Sequence, residues 1–152
     1  LYDTAEAIRF EMLSSSSYEP LAQVARKFRG ELRYQTLHAK TWITQLGTAT
    51  DESKSRLQKS LNEAMPFALG LFENSPYEKE LIELGVFVGV EELKKRWLLK
   101  IEETLSKTDL ILPDWKILKP NEGGRVGNHS EHLQPLLDEM SEVFRLEPGA
   151  EW

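Results

Sequence analysis

The residues best suited to chemistry are Glu31-Leu32-Arg33-Tyr34, in the middle of a long helical pattern. Glu-x-x-His is the spacing that sets a carboxylate and an imidazole on one helix face, and di-iron carboxylate bundles use two such motifs plus two further Glu residues. Here the fourth position is Tyr34. None of the three histidines, His38, His129 and His132, has a Glu three residues before it. The donor set for two irons is therefore incomplete. At 100° per residue Glu31, Tyr34 and His38 fall on one flank of the apolar stripe. A carboxylate there needs a salt bridge or hydrogen bond to a neighbouring helix, because unpaired burial is costly.

A second constellation is His129-Ser130-Glu131-His132. His-x-x-His with an adjacent carboxylate matches part of a zinc site. It sits, however, at a loop-to-helix junction where Ser130 reads as an N-cap, and a third ligand is not visible. A structural or interface role for His129, Glu131 and His132 is the better expectation. The loop Glu122-Gly123-Gly124-Arg125-Val126-Gly127 lacks the preceding strand that a phosphate-binding fingerprint requires. Lys94-Lys95-Arg96 is interleaved with Glu91, Glu92, Glu102 and Glu103, which is a solvated helix face.

The elements that must position these groups are helices. Leu1–Leu13 has helical spacing and starts inside its pattern without a cap; Ser14–Ser17 breaks it. Pro20 opens a second helix with a stripe at Leu21, Val24, Ala25, Phe28, Leu32, Ala39, Trp42, Ile43 and Leu46, ended by Gly47 as the residue past the last turn. Thr50 caps a third, with a kink expected at Pro66. Ser75-Pro76 starts a short helix that stops near Gly85. Gly89 precedes a helix whose stripe is Leu93, Trp97, Ile101 and Leu105. A loop is expected over 113–128 and a last helix from about 130 to 145. The pattern predicts an all-α chain and a single helical domain over residues 1–152.

Composition narrows the function. The chain has 152 residues, 19 Lys and Arg against 25 Asp and Glu, and no Cys. Disulfides, thiolate metal sites and Cys nucleophiles are excluded. An isoelectric point near 5.2 argues against a nucleic-acid binder. The longest apolar run, Ala64–Phe72, contains Pro66 and Gly70 and is about half the length a membrane span needs. No basic segment followed by an apolar one marks a secretory leader.

Several segments point to a family. Asp3-Thr4-Ala5, Glu31-x-Arg33-Tyr34 and above all GNHSEHLQPLLDEMSEVFRLEPGAEW over 127–152 resemble the PaaC-type structural subunits of phenylacetyl-CoA epoxidase, the phenylacetic-acid catabolic oxygenase. The resemblance spans nearly the whole chain, is specific in the last 26 residues, and is weak between Asp51 and Pro120. It implies a cytoplasmic ferritin-like helical bundle that lacks the family's N-terminal helix pair. It also implies a non-catalytic partner of a homologous di-iron subunit, in a complex that epoxidises the ring of phenylacetyl-CoA. On that view the chain holds no cofactor itself, and Asp3, Glu31 and Tyr34 are degenerate di-iron-like positions. Asp3 would face inward, pairing with Arg33 or hydrogen-bonding Tyr34. Exposed apolar stripes would serve the partner or a homo-oligomer. Two alternatives stand beside this. In one the chain is itself a di-iron or zinc ferritin-like enzyme using Glu31, His38, His129 and His132; in the other it is a generic helical adaptor.

Overall fold

A computed structural model describes residues 1–151; Trp152, the last residue of the matching C-terminal segment, lies outside them. Among the described residues there are six α-helices and no strand: α1 (Tyr2–Leu13), α2 (Glu19–Gly47), α3 (Asp51–Gly70), α4 (Glu78–Glu83), α5 (Val90–Leu105) and α6 (Leu133–Leu146). This is the all-α architecture expected of a ferritin-like bundle. The chain forms two compact units, Leu1–Asn121 and Glu122–Trp152.

The larger unit is built on a helical hairpin. Ser14–Ser17 turns the chain, Pro20 occupies the first turn of α2, and α2 runs back along α1. The antiparallel register is fixed at both ends: Arg26 Nη1 donates to Ser14 O at 2.9 Å, and Thr36 Oγ1 donates to Asp3 O at 3.4 Å. Between those ends Phe10 of α1 meets Phe28 of α2 edge-on at 6.4 Å. Ala5 of α1 and Ala22 and Ala25 of α2 are essentially fully buried.

The expected stripe of α2 holds in part: Ala25 is buried, Ile43 packs against the core, and Leu21, Leu32 and Ala39 are half-buried. Val24, Phe28, Trp42 and Leu46 are exposed, and the buried residues are Ala22, Ala25 and Gly47. Gly47 is also the last helical residue, with Thr48 as its cap. It is small because a Cβ there would meet Thr108 Cβ at 2.9 Å, and its carbonyl accepts from Asp109 N at 3.1 Å.

The other helices follow their patterns. Thr50 caps α3 through a bond from Ser53 N to its hydroxyl at 3.2 Å, and Pro66 lies inside α3 without ending it. Leu93, Trp97, Ile101 and Leu105 of α5 are all buried. Trp97 is the centre of the core. Its ring packs on Phe72 at 5.0 Å, and its Nε1 donates to Leu1 O at 3.1 Å, which satisfies the one polar atom of a fully buried side chain. Gly85 and Gly89 have φ of +67° and +102°, a region open to glycine at low cost. They end α4 and start α5.

In the smaller unit a single 3-10 turn spans Gly124–Val126. Helix α6 begins three residues later than expected, because Ser130 does not cap it. The Ser130 carbonyl instead accepts from Leu133 N at 3.1 Å. His132 stands at the cap position with no side-chain bond. The apolar side chains Leu136, Leu137, Met140 and Phe144 share one face of α6 and are exposed.

Candidate functional site

Helix α2 carries two opposed faces in its central part. With 3.6 residues per turn, Ala22, Ala25, Arg29, Arg33, Thr36, Lys40, Ile43 and Gly47 lie within about 80° of arc, on the side that packs against the rest of the unit. Glu31, Tyr34 and His38 lie opposite.

The outward set does not assemble into a ligand cluster. Glu31 is exposed and accepts from Gln35 Nε2 at 3.4 Å, so its partner comes from its own helix and not from a neighbouring one. Tyr34 is 72% exposed. His38 sets its ring edge-on to Trp42 at 6.3 Å. Asp3 is half-buried, and its main-chain oxygen rather than its carboxylate meets α2. The expected pairing of Asp3 with Arg33 or Tyr34 is not formed. In the smaller unit His129, Glu131 and His132 are exposed. Among the described residues no three His, Cys, Asp or Glu side chains are placed to hold a metal ion.

The same side of α2 is cationic along the stretch that runs beside α1, where Arg29 and Arg33 are exposed. Between the buried alanines at one end and Gly47 at the other, Arg29, Arg33, Thr36 and Lys40 line an open groove of about 650 Å³. Helix α1 adds Ala7 and Glu11, and α5 adds Lys100. On its rim Glu103 gathers three cations. Lys100 donates to it, with Lys40 Nζ at 3.5 Å and Lys107 Nζ at 3.6 Å. The Lys100 hydrogen bond and charge, followed by the charges of Lys40 and Lys107, pull the Glu103 carboxyl down to about 2. Arg29 and Arg33 form no ion pair among the described residues. A stripe of large apolar residues does not point to this groove. The signal that does is the 29-33-36-40 spacing, which continues the Ala22 and Ala25 face.

Comparison with known proteins matches residues 1–152 to the family model described as phenylacetic acid catabolic protein. The chain belongs to that family. It is 30% identical over 143 residues to the C-type subunit of the 1,2-phenylacetyl-CoA epoxidase of Escherichia coli (strain K12). The match covers 94% of this chain and 57% of that relative, so the chain spans little more than half of the relative's length. The family assignment agrees with the resemblance carried by Glu31-x-Arg33-Tyr34 and the C-terminal segment. No helix of the described residues is long and apolar enough to cross a membrane.

Proposed function

We propose that this chain is part of the structural, non-catalytic subunit of a phenylacetyl-CoA epoxidase complex, acting in the cytoplasm by packing against a homologous catalytic di-iron subunit. Its contribution is indirect: a rigid helical surface fixes the helices of the partner that carry the metal ligands, which is how a supporting shell holds a catalytic site in productive geometry.

The observation that carries the reading is the arrangement of Glu31, Tyr34 and His38. The family's scaffold is present, yet Tyr34 occupies the position where a complete motif would have His, and the three side chains do not converge on a common point. The exposed apolar residues of α2 (Val24, Phe28 and Trp42) and of α6 (Leu136, Met140 and Phe144) also support a subunit role, because uncovered apolar patches of this extent mark protein contact surfaces. The chain needs no cofactor of its own in this role; the di-iron centre belongs to the partner.

Co-expression of the natural full-length protein with a catalytic oxygenase subunit tests the reading. The two proteins are expected to co-purify, with iron following the partner and less than about 0.1 iron per chain in this subunit alone. About two irons per isolated chain would assign the metal centre here instead.

A further inference from the structure

The exposed face of α2 has the spacing of a helix seam. Val24, Phe28, Glu31, Gln35, His38 and Trp42 follow one another at steps of four, three, four, three and four residues, and all six are exposed. Alternating steps of four and three keep a narrow seam turned toward a facing helix. The seam is also symmetric about its middle. Val24 and Phe28 stand eleven and seven residues before Gln35, and Trp42 and Leu46 stand seven and eleven after it. Leu46 is exposed like the others. At about 100° and 1.5 Å per residue, the two apolar pairs lie roughly 10–17 Å from Gln35 on either side, within about 40° of arc.

We propose that this face pairs α2 with α2 of a second copy of the chain, antiparallel, about a two-fold axis at Gln35. In such a pair every contact occurs twice. Val24 stands beside Leu46 of the second copy and Phe28 beside Trp42 of the second copy, so both apolar ends are covered. The two aromatic side chains are already braced: Phe28 sits edge-on to Phe10 at 6.4 Å, and Trp42 edge-on to His38 at 6.3 Å. Between the ends the charges are complementary. Glu31 and His38 lie on one flank of the seam, four residues before Gln35 and three after it. The two-fold axis therefore brings Glu31 of each copy beside His38 of the other, within about 2 Å along the helix. Gln35 meets its own copy on the axis. A polar centre between apolar ends fixes register and orientation. Arg29, Arg33 and Lys40 stand at least about 120° round the helix from Gln35, so pairing does not bring like charges together. An unlike segment laid on this face would place no demand for symmetry on it; a second copy does.

Residues 1–152 contain no Cys, so one introduced thiol tests the axis. In the natural full-length chain Gln35→Cys is expected to form an intermolecular disulfide on mild oxidation, joined 35 to 35 on peptide mapping. Tyr34→Cys, about 100° off the seam, is expected not to. Sedimentation equilibrium should show a dimer, and Trp42→Glu should weaken it at least tenfold. Glu31→Lys should weaken it as well. Combining Glu31→Lys with His38→Glu should restore pairing to within a few-fold of the parent, a rescue that damage to the fold would not show. The proposal is overturned if the full-length chain stays monomeric at submillimolar concentration. It is equally overturned if a dimer forms while Gln35→Cys fails to cross-link, which would mean another face pairs or another segment covers this one. Failure of the charge exchange to restore pairing also overturns it. The proposal does not rest on the subunit reading: an oxygenase subunit that co-purifies with a chain unable to pair with itself sustains that reading and overturns this one.

Discussion

A Cβ on Gly70 would collide with the main-chain oxygen of Asn121. Asn121 also donates its N–H to Pro66 O at 3.0 Å, so the segment that ends the larger unit is laid directly on the last turn of α3. Glycine at position 70 makes that approach sterically open. Replacing it by Ala forces a side chain against backbone, with no flexible group to give way. We expect Gly70→Ala to lower stability by about 1–3 kcal/mol, read as a lower midpoint in thermal or urea unfolding. Gly30→Ala is the contrast: a helical glycine with nothing near its Cβ should gain about 0.5–1 kcal/mol. Equal shifts for both variants would show that the Asn121 contact is not what matters.

Trp97 gives a second test of the core. It is fully buried, packs on Phe72 and donates to Leu1 O. Trp97→Ala should cost about 3–5 kcal/mol. Trp42→Ala, at a side chain that is 50% exposed, should cost less than about 1 kcal/mol in the isolated chain. Under the subunit reading the same Trp42 change should weaken association with the oxygenase partner. A pull-down scored beside the unfolding curve separates the two effects.

Helix α5 is legible in the sequence almost residue by residue, because its core contacts are large apolar side chains at helical spacing: Leu93, Trp97, Ile101 and Leu105. The Thr50 cap and the Gly85 and Gly89 breaks are legible for the same reason, since each rests on local chemistry. Helix α2 is not. Its fully buried residues are Ala22, Ala25 and Gly47, smaller and less hydrophobic than the exposed Phe28 and Trp42 that dominate the apolar pattern. Burial of small residues leaves no strong apolar signature in the sequence. The candidate site inherits the same ambiguity. The expected stripe sets Glu31, Tyr34 and His38 on its flank, whereas in the fold all three are exposed. The start of α6 is hidden because Ser130 uses its carbonyl, not its hydroxyl, in the turn.

Glu31→Ala separates the enzyme reading from the subunit reading. The side chain is exposed, with one long hydrogen bond to Gln35. Unfolding stability should therefore stay within about 0.5 kcal/mol of the parent. The oxygenase activity of a reconstituted complex should also be retained. Loss of bound iron and of turnover in this variant would return Glu31 to a metal-binding role.

The last prediction concerns acid. In the folded chain Glu103 titrates at about 2, against an ordinary value of 4.5, because Lys100 hydrogen-bonds its carboxylate and Lys40 and Lys107 add their charges. A lowered folded value means that the unfolded chain binds the proton more readily, so stability from this group is present above about pH 4.5 and is lost as pH falls toward 2. The Lys40 contact ties α2 to α5, which makes the loss a loosening of the groove as well as of the helix surface. Glu103→Gln removes the titration and keeps the shape. The parent should lose stability more steeply than Glu103→Gln between pH 4.5 and 2, with the gap between their unfolding midpoints closing as the carboxylate protonates. Added salt should narrow that gap at pH 7, because these side chains are solvent-exposed and screened. Parallel pH profiles for the two proteins would show that the three lysines do not hold Glu103 in its charged form.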